Sequence, residues 1–315
     1  MRSMLVRGLV LTPLFLAIAC GQAVPAPTES PVPTIGPGGH PGWPPLADGG
    51  ELLPIPVTSE LVVGSNRFLL NLVDADNNPL AAPDRAVTLN FYALEVDPAT
   101  PAQTVEATYL PTIPQLPGLY RAQVDFDRAG TWGIEAEATE ADGRVRTGRM
   151  VFSVRQEGST PLVGSEARSS QTPTGESAEQ IALISTDDDP NAAFYRLSVD
   201  QALQQDQPFL LVFATPAFCR TATCGPALDI VKEVAPAFHD VAVIHVEPYE
   251  LEQVDGHLQP VLREGQLVPV PAVVEWGLLT EPMIFAVDAD GIVRTKLEGV
   301  ASADEIRSAM EGIAP

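Results

Sequence analysis

The stretch "FATPAFCRTATCGPALD", residues 213–229, carries Cys219 and Cys224 five positions apart. Two thiols at such spacing can form a redox pair, hold a soft metal, or staple a loop. Residues five apart on a regular helix sit too far apart, and at the wrong angle, for a disulfide. Pro226 suits the first turn of a helix, where its missing N–H costs nothing. The reading is therefore a loop, "CRTATC", followed by a helix that starts near Gly225. Cys224 then lies at the helix N-terminus, where the dipole favours a thiolate, which makes it the better-motivated attacking thiol. Arg220 is the cation nearest the pair in sequence.

The compartment decides what two cysteines do. "MRSMLVRGLVLTPLFLAIAC" begins with Arg2 and Arg7 and runs apolar from Leu9 to Ala19, too short for a membrane span. Its end, "LAIAC", resembles the lipobox of bacterial lipoproteins, with Ala17 standing where that pattern usually has Leu. The resemblance implies a signal peptide over 1–20, cleavage before Cys20, and lipidation of Cys20. The expected location is extracytoplasmic, anchored to the cell membrane through that residue. An ordinary secretory signal is the alternative, and it exports the chain as well. The two cysteines that remain then default to a disulfide in an oxidising compartment.

With 18 Lys and Arg against 41 Asp and Glu, the net charge is −23. Nucleic-acid backbones and anionic lipid surfaces repel such a chain, so no nucleic-acid partner is expected. The expected partner is a protein thiol or disulfide. Neither a cofactor nor a resident metal is assigned.

The elements that must position the cysteines follow from composition. Residues 21–56 are dense in Pro and Gly ("AVPAPTESPVPTIGPGGHPGWPPL") and read as a tether. Residues 57–155 show period-two alternation in "RFLLNLV", "AVTLNFYAL", "GLYRAQVDF", "GTWGIEAEA" and "GRMVFSV", which indicates an all-β antiparallel sandwich. The segment "GLYRAQVDFDRAGTWGIEAEA" resembles the closing strands of bacterial immunoglobulin-like envelope domains, which implies a fold and no chemistry. "DADNN" lacks the spaced ligands of a calcium loop and reads as a polar turn. Residues 156–180, "QEGSTPLVGSEARSSQTPTGESAEQ", read as a linker.

Over 181–315 strands and helices alternate. "PFLLVFA" and "VAVIHVE" are strands, "GPALDIVKEVAPAF" is a helix, and "ELEQVDGHLQPVLREG" reads as partly helical. "PMIFAVDADGIVRTKLEG" is a hairpin turning at Asp290-Gly291, and "SADEIRSAMEGI" is a helix capped by Ser302 with Glu305 three residues on. Three features resemble thioredoxins: the strand running into the cysteine turn, "LLVFATPAFCRTATCGP"; Pro282 in "TEPMIFAVDADG"; and "GVASADEI" near the end. The fold class so expected is two domains, an immunoglobulin-like sandwich followed by an α/β thioredoxin-like domain. The resemblance implies a cis Pro282 against the disulfide; the candidate site is Cys219, Cys224 and Pro282, with Glu281 able to take the proton that a buried acid handles in thioredoxins. There are departures. Ala227 stands where thioredoxins have their second cysteine, no acid lies in "FLLVFA", and Glu281 precedes Pro282 where the family usually has a neutral residue.

Thiol–disulfide exchange or redox sensing is the leading reading, and a purely structural disulfide in a non-enzymatic surface module is its rival. "TPAFC" resembles peroxiredoxins that carry Thr-Pro before the attacking cysteine, with one residue too many here between Thr215 and Cys219. Copper handling would need a third ligand, His245 or His257. Trp276 is a candidate cover for the pair.

Overall fold

The computed structural model describes residues 40–43, 46, 50–113 and 116–315. The leader over 1–20, Cys20 and most of the expected tether lie outside these residues. No helix among the described residues is long and apolar enough to cross a membrane.

Seven strands form the first half: β1 (Leu53–Pro56), β2 (Gly64–Val73), β3 (Ala86–Ala93), β4 (Gln103–Leu110), β5 (Leu119–Phe126), β6 (Gly130–Thr139) and β7 (Val145–Val154). They make one antiparallel sheet in the order β1-β2-β5-β4-β3-β6-β7. Its two edges come together: Glu51 N–H donates to Thr147 O (2.9 Å), and Val63 N–H to Arg155 O (2.9 Å). The sheet is thus rolled nearly shut around its own apolar face. Alternation supplies that face. Phe68, Phe91, Phe126 and Phe152 are all at most 1 % exposed. They meet edge to face, Phe91 to Phe126 at 5.7 Å and Phe126 to Trp132 at 4.9 Å, geometry that the ring quadrupoles favour. "DADNN" is a turn, with Asp74 accepting the N–H groups of Asp76 and Asn78 and Asn77 at φ 63°.

The second half is built on a four-stranded sheet, order β15-β14-β8-β9: β8 (Phe209–Phe213), β9 (Ala242–Val246), β14 (Met283–Val287) and β15 (Val293–Glu298). Only β8 and β9 run parallel. Between β9 and β14 stand two hairpins, β10 (Leu251–Val254) with β11 (His257–Pro260) and β12 (Leu262–Arg263) with β13 (Gln266–Leu267). The helices are short: α1 (Ala178–Ile181), α2 (Val199–Gln204), α3 (Cys224–Val234), α4 (Pro271–Trp276) and α5 (Ala303–Glu311).

The expected fold class is therefore corrected. The chain is mostly β and is dominated by a nearly closed seven-stranded antiparallel sheet, so neither the two-sheet immunoglobulin-like sandwich nor the α/β thioredoxin-like domain describes it. One strand explains the first correction. β4 pairs with β3 through Gln103–Ala107 and with β5 through Thr108–Leu110. It joins what would otherwise be two sheets into one. Its side chains alternate between half-buried and exposed along nearly its whole length, so it lacks the strong apolar stripe that marks its neighbours. The second correction comes from "ELEQVDGHLQPVLREG", expected as partly helical. Asp255-Gly256 and Glu264-Gly265, all four at positive φ, turn it into the two hairpins instead.

The halves meet through charge. Arg67 of β2 donates from Nε to Glu305 of α5 at 2.7 Å, and from Nη1 and Nη2 to the carbonyls of Glu298 and Val300 at 2.8 and 2.6 Å. Glu60 accepts from Ser159, Thr160 and Lys296. Residues 156–180 lie along this junction and the second half, where Ala167 N–H donates to Gly291 O (2.8 Å) and Asp200 N–H to Ser170 O (3.0 Å).

Candidate functional site

β8 is buried at every position, and its successive side chains point to opposite faces. Leu210, Val212 and Ala214 face α3 and α5, while Phe209, Leu211 and Phe213 face α2 and α4. The strand ends in the turn Thr215-Pro216, and the chain then enters the cysteine loop. Cys219 and Cys224 form a disulfide with a Cα–Cα separation of 5.9 Å. The loop between them is a tight turn: Ala222 N–H donates to Cys219 O at 3.2 Å, with Ala222 itself at φ 59°. A β-carbon disfavours that region.

The two sulfurs have different surroundings. Cys224 is the first residue of α3 and is wholly buried in the apolar cluster with Leu228, Val231 and Ile284. Cys219 is only partly buried. Its Sγ accepts the Cys224 N–H at 3.3 Å and lies 3.3 Å from Thr221 Oγ1. Burial therefore works against the expectation that Cys224 attacks, since Cys219 is the residue of the pair that solvent reaches. The free N–H groups at the start of α3, which were expected to serve Cys224, point one of their number at the Cys219 sulfur.

Glu281 joins this region. The Glu281–Pro282 bond is cis. Glu281 lines one groove with Thr221 and Thr223 of the cysteine loop. Burial pushes its carboxyl above the ordinary range, and the Tyr249 hydroxyl, donating at 3.0 Å, and the Arg220 charge only partly offset this. Tyr249 is in turn pushed up to about 12, by burial first and then by the Glu281 charge.

A second carboxyl, which sequence reasoning missed, lies behind the loop. Glu247 directly follows β9 and is 5 % exposed. Its Oε1 accepts Thr186 N–H at 2.7 Å and Thr186 Oγ1 at 2.5 Å, and the same hydroxyl accepts Ala217 N–H at 3.1 Å. Glu247 is thus tied through Thr186 to the chain just ahead of Cys219. Burial raises its pKa. The Thr215 hydroxyl is near enough to oppose that rise, yet the two do not meet hydrogen-bond geometry, and both Glu247 Oε2 and Thr215 Oγ1 stay unpartnered among the described residues. The signal in the sequence was an acid closing the otherwise apolar run "VAVIHVE".

The other candidates separate from the pair. His245 is buried, bonded at Nδ1 to Tyr195 OH (2.8 Å) and at Nε2 to Ala214 O (3.0 Å). Burial lowers its pKa to about 4, so it is a neutral core residue with both nitrogens engaged. His257 is exposed on β11. Among the described residues no group of three or more His, Cys, Asp or Glu is arranged to hold a metal. Trp276 is fully buried against Phe285 (4.8 Å) on the face of the sheet opposite the disulfide, and it does not cover the pair. Thr215 is buried close to Glu247.

Compared with protein-family models, with curated proteins and with solved structures, the chain finds no match.

Proposed function

We propose that the chain is an exported protein, held at the membrane by a lipid on Cys20, that exchanges its Cys219–Cys224 disulfide with thiols of a partner protein. The observation that carries this reading is the asymmetry of the pair: one sulfur within reach of solvent, the other sealed in the core at a helix start. A partner thiolate attacks Cys219 Sγ. The Cys219–Cys224 bond breaks, Cys224 leaves as thiolate and takes up a proton, and a mixed disulfide remains on Cys219. A second partner thiolate then attacks the partner's own sulfur and expels Cys219. The partner dithiol is oxidised to a disulfide and this protein's disulfide is reduced to two thiols. The same steps in reverse reduce a partner disulfide, and the two potentials set the direction.

A second reading has its own observation. Complete burial of Cys224 in an apolar cluster suits a staple that holds the loop onto α3. The reduction potential separates the two. Equilibration with glutathione or dithiothreitol buffers should give a value in the range of exchange proteins, about −120 to −270 mV. A value below about −300 mV, the range of structural disulfides, would leave the staple.

A further inference from the structure

The seven-stranded sheet does more than carry the second half. A groove of about 260 Å³ opens beside the disulfide loop, and both halves build it. Val57, Leu69, Leu116 and Leu119 come from the rolled sheet and its loops, and Thr221 and Glu281 from the site. We infer that this groove is a docking slot for an extended segment of a partner polypeptide, one that carries a bulky apolar residue next to its reactive cysteine. The inference rests on thiol–disulfide exchange at Cys219.

Three observations support it. The groove is continuous with the chemistry: Thr221, one of its walls, has its hydroxyl 3.3 Å from Cys219 Sγ. A residue adjacent to a sulfur bonded there, about 3.3 Å along an extended chain, comes to lie over the slot. Its lining is largely apolar, and Val57 and Leu116 each keep 40 % of their surface open to water. Such surface at the mouth of a reactive site gains free energy when another apolar group covers it. Its volume falls below the roughly 300–1,000 Å³ of sites that enclose a whole small ligand, so it has room for one or two side chains. Charge narrows the partner further. The chain carries −23 overall, and the exposed cation beside Cys219 is Arg220. The net charge favours flanking Lys or Arg over Asp or Glu at long range, while Arg220 opposes them only next to the loop itself.

The test uses the full chain and two cysteine peptides, Lys-Phe-Cys-Gly-Lys and Lys-Gly-Cys-Gly-Lys, with dithiothreitol as a small thiol. Mixed-disulfide formation on Cys219 is quenched with acid and read by mass. The phenylalanine peptide should react about tenfold faster than the glycine peptide, the gain from partly burying one aromatic side chain. In the Val57→Gln, Leu116→Gln chain the ratio should fall to near one; both positions are exposed, so the fold tolerates the change. Equal rates in the unaltered chain, or a ratio that survives the double substitution, would overturn the docking slot while leaving exchange at Cys219 intact. Reaction with neither peptide nor dithiothreitol would overturn the exchange reading and the slot with it. A dimer that dissociates on the double substitution, seen by sedimentation, would assign the groove to a second copy of the chain and also overturn the inference.

Discussion

Arg67→Met tests how the two halves are held together. The substitution keeps most of the apolar stem and deletes the guanidinium. Arg67 and Glu305 are 9 % and 8 % exposed at their side chains, and their contacts are 2.7 and 3.1 Å long. The variant also strips donors from the carbonyls of Glu298 and Val300. Breaking a buried pair typically costs about 3–5 kcal/mol. Arg121 stays within 2.8 Å of Glu305 but is 35 % exposed, and the cleft of about 640 Å³ that both residues line admits water, so we expect about 2–3 kcal/mol. The titration of Glu305 bears on the same quantity. Burial pushes its carboxyl up, but the hydrogen bonds and charge of Arg67, then Arg121, outweigh it and bring the pKa from 4.5 to about 2. That difference corresponds to roughly 3 kcal/mol before screening by cleft water and about 2 after it. Because the folded value is depressed, the contribution is full above pH 4.5 and is lost as pH falls toward 2. Urea unfolding followed by tryptophan fluorescence at pH 7 and pH 3 reads both effects. The variant should be less stable by about 2–3 kcal/mol at pH 7, and the gap should shrink by about half at pH 3. A gap under about 1 kcal/mol at pH 7, or one that does not change with pH, would refute the argument.

Other outcomes follow from the same structure. In the reduced protein, iodoacetamide should label Cys219 at least about a hundredfold faster than the buried Cys224; peptide mass mapping that finds Cys224 first would restore the helix-start thiol as nucleophile. The carboxyls of Glu247, Glu281 and Glu298 all sit above their ordinary 4.5, chiefly through burial. A raised folded value means the folded state binds protons more readily, so these three carboxyls contribute stability as pH falls from 7 toward 4.5, while His245, lowered to about 4, opposes them between about pH 6.5 and 4 because there the unfolded state is the better proton binder. Glu247→Gln should remove the Glu247 share of that gain, so that the variant gains less than the unaltered chain between pH 7 and pH 5, and leave the pH 7 stability equal or higher by about 1 kcal/mol, since an amide needs no charge buried there; chemical unfolding at pH 7 and pH 5 measures it. Mass spectrometry of the mature N-terminus should find Cys20 as the first residue, bearing acyl chains, and a chain that begins elsewhere without them defeats the anchor.

Local chemistry was legible in the residues alone. Two cysteines that a regular helix would hold too far apart to bond, with Gly225-Pro226 behind them, are a loop that closes on itself ahead of α3, and the chain forms that disulfide. Asp290-Gly291 turns the β14–β15 hairpin, with Gly291 at φ 73° where a β-carbon is disfavoured, and Ser302 with Glu305 makes a capping box. Each depends on neighbours within a few positions. What tertiary structure alone decided depends on partners far apart in the chain. β4 carries no apolar stripe strong enough to be read as a strand, yet by pairing with β3 at one end and β5 at the other it turns two expected sheets into one rolled sheet. Glu305 is legible as a helix cap, but its bonds to Arg67 span 238 positions. The difference in burial between the two cysteines has the same origin. Spacing locates a helix start, whereas only the packing of Leu228, Val231 and Ile284 over Cys224 determines which sulfur water can reach.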